Sequence, residues 1–462
     1  MKIVFYSTNS NVFNSDTFHI NTFPSVNSIF QQFCADHSIT GDSFAVVTQK
    51  PCFFLPSSSF QADSDGSSLS LPTSHNNSGA VYVLSQEATV TDMAEHIASL
   101  EPDMAIAMTF WVDPFDWLTI NDTLVAEQLD AKGIKTIAHS LDTGMTCFDK
   151  SKTHEKLKAL GFALPAALTV DHDMYFCAGS NKKVIHNVYK DYIASKIKKL
   201  RLPLIIKETV GVSSYGAAVV NTYGEAICYL NSKRNNSDRI VEEYIPGRQF
   251  GCEIYGVPGN YNILPPVEFS LNQYGITSPK LSAKYGPVLE GQADASGCPV
   301  ANLPNLYKML GDLAEDLKFQ GVAQVDLVQS ADGSWYVIEI NPRLSGMSYT
   351  YAAMCGMSLY EMIYETCVEG KKIVTLENTS ALKKVLNIKL PVMTLETCKK
   401  IKEIRGVDFV HLTNNEEAKQ EREKGYTEII ITGNSLSEIK ENLAALKKAL
   451  PDQDFSTVDK FI

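Results

Sequence analysis

Most of what would place this chain in an easily named class is missing. Its ten cysteines form no Cys-x-x-Cys pair, so the spacing offers no zinc site and reads as free, mostly buried thiols of a reducing compartment. No stretch approaches the roughly 18 consecutive apolar residues that span a bilayer. The opening Met1–Tyr6 reads as a strand and not as a signal peptide, so a cytoplasmic protein is expected. There is no dominant basic block, and the net charge is −12. That excludes sequence-independent nucleic-acid binding while leaving room for a local cationic cleft. Neither Gly-x-Gly-x-x-Gly nor a Gly-Lys-Ser/Thr phosphate loop occurs, and no internal repeat is visible.

What remains is a 462-residue chain with 44% hydrophobic and 20% charged residues, ordinary for a globular protein of several domains. Residues 1–145 alternate strand and helix patterns: strands at Lys2–Tyr6, Ser43–Thr48, Ala80–Leu84, Asp103–Thr109 and Lys135–Ala138, with helices at Val26–Asp36, Thr91–Leu100 and Asp122–Lys132. This predicts a parallel, Rossmann-like α/β domain. Residues 56–79 are rich in Ser, Asp, Asn and Gly and read as a long loop. Residues 146–370 follow as a second unit, divisible at about 237. Residues 371–462 read as a small α/β lobe with strands Lys383–Leu390, Asp408–Leu412 and Glu428–Thr432 and a closing helix.

The densest chemistry lies in Gln324-Val325-Asp326 and Glu339-Ile340-Asn341-Pro342-Arg343. Between them, Ser330–Ser334 is a turn signal flanked by apolar runs, hence a hairpin. Folding it symmetrically about Asp332–Gly333 sets Asp326 opposite Glu339 and Gln324 opposite Asn341. Side chains alternate faces along a strand, so two carboxylates and an amide oxygen converge on one patch. Such an all-oxygen set suits Mg²⁺ beside nucleotide phosphates. Taken singly, each of these residues is also compatible with an ordinary surface strand carboxylate.

Four further segments precede it. Asp149-Lys150 opens a helix pattern that ends at Gly161, where a C-cap is expected, with Pro165 preventing resumption. Alone, this is an ordinary amphipathic helix. A buried strand ends in Lys207, followed by the small-residue turn Gly211–Gly216 and a returning strand. Small residues there let backbone N–H groups approach phosphate oxygens, with Ser213 and Ser214 adding donors, although a plain hairpin loop also fits. Then come Ile240–Gly247 and, within a long polar stretch from Asn272 to Pro299, Lys280–Tyr285. That stretch is expected to be a loop, either a substrate lid or disordered.

Taken in order, these segments resemble the ATP-grasp ligases, over about 150–365. The resemblance implies an ATP-grasp fold with an N-terminal Rossmann-like domain and a small C-terminal lobe. It implies ATP and Mg²⁺ (two ions, or Mn²⁺) as cofactors. Lys150, Lys207, Ser213, Ser214 and Gly216 would meet the phosphates. Glu242, Glu243, Tyr244 and Ile245 would form the adenine hinge, with Gln249 near the ribose where relatives often carry Glu. Asp326, Glu339 and Asn341 would hold metal. Arg343, Lys284 and Gln324 would border the transferring phosphate, Gln324 standing where some relatives carry Arg. His154, where many relatives have a second basic residue, is given no role. The activity implied is activation of a carboxylate as an acyl phosphate and its joining to an amine. A nucleotide-binding scaffold and a biotin-carboxylase-like enzyme remain as alternatives. Small-molecule substrates are the expected partners, with no nucleic acid or membrane, and a homodimer is the base-rate expectation.

Overall fold

The computed structural model describes residues 1–8, 16–54, 69–70 (backbone), 79–110, 116–179, 184–211, 217–272, 275–277, 281–294, 297–375, 378–419 and 424–462. Its strands are β1 (Lys2–Ser7), β2 (Phe18–Phe23), β3 (Ser43–Gln49), β4 (Leu69–Ser70), β5 (Ala80–Leu84), β6 (Met104–Ala107), β7 (Lys135–Ile137), β8 (Ala167–Val170), β9 (Leu204–Glu208), β10 (Ala218–Val220), β11 (Arg239–Glu243), β12 (Gly247–Val257), β13 (Asn260–Ile263), β14 (Val267–Phe269), β15 (Ser282–Gly286), β16 (Gly321–Ser330), β17 (Trp335–Asn341), β18 (Lys384–Leu390), β19 (Val407–Asn415) and β20 (Gly425–Gly433).

Three sheets result. The first, β4-β5-β3-β1-β6-β7, is parallel except for the short β4. Val4, Tyr6, Ala45 and Val47 face helices Val90–Ser99 and Ile120–Asp130 across one interior, while Ile3, Phe5, Phe44 and Val46 face helix Val26–Asp36 across the other. Burial on both faces is why these strands read as continuous apolar runs. Of the Ser-rich 56–79 stretch, Leu69–Ser70 pair with β5; residues 55–68 and 71–78 lie outside the described residues.

The second sheet, β10-β9-β11-β8, is antiparallel and small. The third, β17-β16-β12-β14-β15-β18-β20-β19-β2 with β13 on β12, joins segments from the whole chain. The three C-terminal strands continue the sheet that carries the metal-type hairpin, and β2, from the N-terminal region, pairs with β19 at its edge. Helix Leu303–Leu317 lays Leu303, Leu306, Leu310, Leu313 and Leu317 on this sheet at helical spacing.

One expectation needs correcting. The polar stretch 272–299 is not a continuous loop: Ser282–Gly286 is an interior strand, paired with β14 and β18. Its small and polar residues hide the strand signal because neighbouring strands and helices, not its own side chains, supply the apolar cover.

Candidate active site

The hairpin β16–β17 sets the centre. Asp326 pairs with Glu339 and Gln324 with Asn341. Near the turn, however, the ladder is centred on Asp332, with Gln329 opposite Trp335 and Leu327 opposite Val337. A β-bulge at Ile338 shifts it by one, so Ile338 and Glu339 together stand opposite Asp326. The bulge keeps Val337 and Ile340 in the core while Glu339 faces the site, a re-aiming for which such irregularities are suited.

Asp326 and Glu339 are therefore opposed, half-buried carboxylates. Burial raises Asp326's pKa, and Glu339 raises it further. Burial acts the same way on Glu339, but Lys150, at 2.9 Å, prevails and holds it below the usual range. Gln324 donates to Asp326 and accepts from Asn341 Nδ2 at 2.9 Å. Arg343 Nη2 donates to Asn341 Oδ1 at 3.2 Å. Two like charges facing each other at a distance typical of cross-strand pairs, with an amide oxygen beside them, fit a hard divalent cation. Among the described residues no group of three His, Cys, Asp or Glu side chains gathers to hold a metal. A cation here would therefore draw further oxygens from a phosphate-bearing ligand.

Lys150 arrives from helix Lys150–Ala159. Asp149 caps that helix, accepting from the Ser151 and Lys152 amides, and Gly161 follows its end at φ +81. Lys150 Nζ also donates to Gly211 O at 3.2 Å, at the start of the small-residue turn. Lys207, near the end of β9, pairs with Glu242 at 2.6 Å. Ser213, Ser214 and Gly216 lie outside the described residues.

Between the second and third sheets is a pocket of about 910 Å³. Lys150, Lys207, Glu242, Glu243, Tyr244, Ile245, Gln249, Asp326 and Glu339 line it, with apolar walls from Ile205, Phe250, Phe269 and Ile338. At the hinge, Glu243 and Tyr244 amides are taken by Ala166 O and Pro203 O. The Glu243 carboxylate binds the Arg201 amide at 2.8 Å and the Arg201 guanidinium at 3.1 Å. Tyr244 Oη and Gln249 Nε2 both donate to Gly275 O at 3.0 Å, tying down the segment across the pocket mouth. His154 bonds Pro165 O at 2.8 Å, a structural task.

Lys284, on β15, donates to Gly346 O at 3.1 Å. Burial, with the neighbouring Lys389 charge adding to it, depresses its pKa to about 8. It does not line the pocket, but it stands close enough to Asp326 to favour that carboxylate's ionisation.

Sequence reasoning gave no role to Glu253, Lys389, Glu428 and His411. Glu253 is fully buried and accepts from Ser345, Ser348 and Tyr255 hydroxyls, each at 2.7 Å. Burial raises its pKa despite those donors. Its strand neighbour across β16 is Gln324. Lys389, Glu428 and His411 form a row across β18, β20 and β19. The one available signal was a charge inside the apolar run Thr427–Thr432.

Residues 175–368 match the family model described as D-ala D-ala ligase C-terminus. A D-alanine–D-alanine ligase from Desulfotalea psychrophila is 29% identical over 196 residues, 39% of this chain and 58% of that relative. The chain thus spans less than two thirds of the length of that curated relative. Two solved structures extend over nearly the whole chain. The N5-carboxyaminoimidazole ribonucleotide synthetase from Thermus thermophilus has a TM-score of 0.60 at 14% identity, covering 97% of this chain and 98% of that one. The L-amino acid ligase from Bacillus licheniformis has a TM-score of 0.56 at 14% identity, covering 97% of each. Identity this low speaks for the fold alone. Among the described residues no helix is long and apolar enough to cross a membrane. The chain has the ATP-grasp fold, and its segment 175–368 matches the D-ala D-ala ligase C-terminus family.

Proposed function

We propose that this protein is an ATP-dependent carboxylate–amine ligase that forms an acyl phosphate, joins it to an amine, and releases ADP and phosphate. The observation that carries the reading is the convergence of Lys150, Lys207, Asp326 and Glu339 on one pocket between two sheets, backed by an acidic hinge. The bulk of the apolar wall suits a nucleobase, and the charged end suits its phosphates.

Attack of a carboxylate on a γ-phosphoryl group must overcome anion–anion repulsion. Lys150, released from Glu339, and Lys207, released from Glu242, would turn to phosphate oxygens. Arg343 offers a planar guanidinium to the transferring phosphoryl group or to the carboxylate. Lys284 adds positive charge near Asp326. Asp326, Glu339 and Asn341 would hold Mg²⁺, two ions in our reading, which supplies charge neutralisation at the phosphates when bound. Glu242 and Ile245 would meet the adenine. Exclusion of water from the closed pocket would protect the acyl phosphate from hydrolysis. Residues 1–145, 146–370 and 371–462 serve in this reading as the three lobes around the site, in a cytoplasmic enzyme.

The test is phosphate release from Mg²⁺-ATP across pooled amino acids, with mass spectrometry of products. Release that depends on a particular pair, with a condensed product and ADP, is expected. Tight ATP binding with no release from any pool would favour a non-catalytic scaffold instead.

A further inference from the structure

A second cavity, of about 1040 Å³, opens where the C-terminal ends of β1, β3 and β6 meet β2 and β19. The reaction described above assigns it nothing. Its wall is a run of rings. Phe53 packs on Phe110 with centroids 5.3 Å apart, and Phe110 stacks on Tyr349 at 5.5 Å and 13°. Phe53 also contacts His411 at 5.3 Å. Ile20 and Met108 complete an apolar lining. Such a surface favours an aromatic or large aliphatic group.

Within this wall His411 stands out. It is 5% exposed, and its Nε2 is buried with no hydrogen-bond partner among the described residues. The other ring nitrogen, Nδ1, lies 3.5 Å from a Glu428 carboxylate oxygen. A carboxylate on that side favours the proton on Nδ1, which leaves Nε2 of the neutral ring as an acceptor. A buried acceptor left open beside a cavity calls for a donor from whatever fills it.

The cavity wall is tied to the segment that carries Arg343. Thr109 lines it, and the Thr109 carbonyl accepts from the Leu344 amide at 3.2 Å, next to Arg343. Behind His411, Glu428 pairs across the ladder with Lys389. Lys389 and Lys284 ammoniums both approach Gly346, where an added Cβ would lie 3.8 and 3.7 Å from them. These two cations stand beyond the His411–Glu428 side of the cavity and do not line it.

Resting on the ligase reading, we propose that this cavity holds the acid to be phosphorylated, an α-amino acid with an aromatic or large aliphatic side chain whose amino group donates to His411 Nε2. Holding the amine there also keeps it from acting as the nucleophile.

The test is calorimetric titration of the full chain, with Mg²⁺ and a non-hydrolysable ATP analogue, using L-phenylalanine, 3-phenylpropionate and L-alanine. Phenylalanine is expected to bind about tenfold more tightly than phenylpropionate, which lacks the amine, and than alanine, which lacks the ring. His411→Asn keeps a donor toward Glu428 and removes the acceptor. It should cost phenylalanine about tenfold and leave phenylpropionate unchanged. Equal affinity for alanine and phenylalanine, equal weakening of both phenyl ligands, or no phenylalanine binding would overturn the assignment. The ligand comparison on the unaltered chain decides even if the variant fails to fold. Phosphate release driven by small amino acids but not by phenylalanine would overturn this assignment and leave the ligase reading intact. Phenylalanine binding that needs His411, without phosphate release from any acid, would do the reverse.

Discussion

Replacing Glu339 with Gln probes the site where its electrostatics are most sharply drawn. Of the charges that act on this carboxylate, which include Lys207 and Arg343, two oppose each other most directly. Lys150 lies 2.9 Å away, an attraction of about 6 kcal/mol at an effective dielectric constant of 20. Asp326 is directly opposite, and at a typical cross-strand separation of ~5 Å the repulsion is about 3 kcal/mol on the same basis. Glutamine removes both, so the nucleotide-free protein should lose only about 2 to 3 kcal/mol and stay folded. Asp326, freed of its like-charged neighbour, should titrate closer to the ordinary carboxylate range. Turnover should suffer far more. A metal ion clamped on transferring phosphate supplies several kcal/mol, so losing one of its proposed carboxylate ligands should slow phosphate release by about 10³-fold or more. The assay is Mg²⁺-dependent phosphate release, alongside thermal melts with and without Mg²⁺-ATP. The melt without ligand should shift modestly, and the stabilisation by Mg²⁺-ATP should shrink. Full activity with unchanged metal dependence would refute the metal-site reasoning.

Three other predictions are independent of that one. Glu428 is buried, yet the Lys389 charge, the hydrogen bond from His411 and the Lys284 charge overcome the cost of burial and hold its pKa down to about 2. Its ionised form should therefore contribute about 3 kcal/mol at neutral pH, present above ~4.5 and lost as pH falls toward 2. A Glu428→Gln stability difference that stays constant from pH 7 to pH 3 in denaturant melts would contradict this. A Cβ at Gly251, which pairs with Asp326, would lie 2.5 Å from Met347 Sδ and 2.6 Å from Phe269 Cζ. Gly251→Ala should cost about 1–3 kcal/mol by overpacking, and an unshifted melting temperature would show that the space is there. Cys228 is the exposed thiol, while Cys34, Cys52, Cys147, Cys252, Cys367 and Cys398 are buried. Native-state labelling with a thiol reagent should modify Cys228 first, and fast modification of those six would refute the described packing.

How far the sequence could be read depended on the range of the interactions. The helix Val26–Asp36 has the predicted ends because Ser25 caps it locally. Asp149 caps the helix that carries Lys150 for the same reason. The closing helix starts behind Ser435. The hairpin register at Asp326–Glu339 followed from a nearby turn, although the reason was partly different: a turn centred one half-step away and a bulge at Ile338 compensate each other. A bulge is chosen by what packs on either face, and that information is not in the strand itself.

Everything that needed distant segments was invisible. The chain alone determined most of its elements, the hairpin that opposes two carboxylates, and lysines placed at a helix start and a strand end, because capping, turns and alternation act over a few residues. Only the tertiary structure decided that Lys150 reaches Glu339, that Lys284 lies in a strand beside Lys389, that Glu253 is sealed under three hydroxyls, and that β2 closes the sheet edge against β19 beside His411. Those choices are made by burial and charge pairing between segments far apart in sequence, and no local pattern records which partner a buried strand will find.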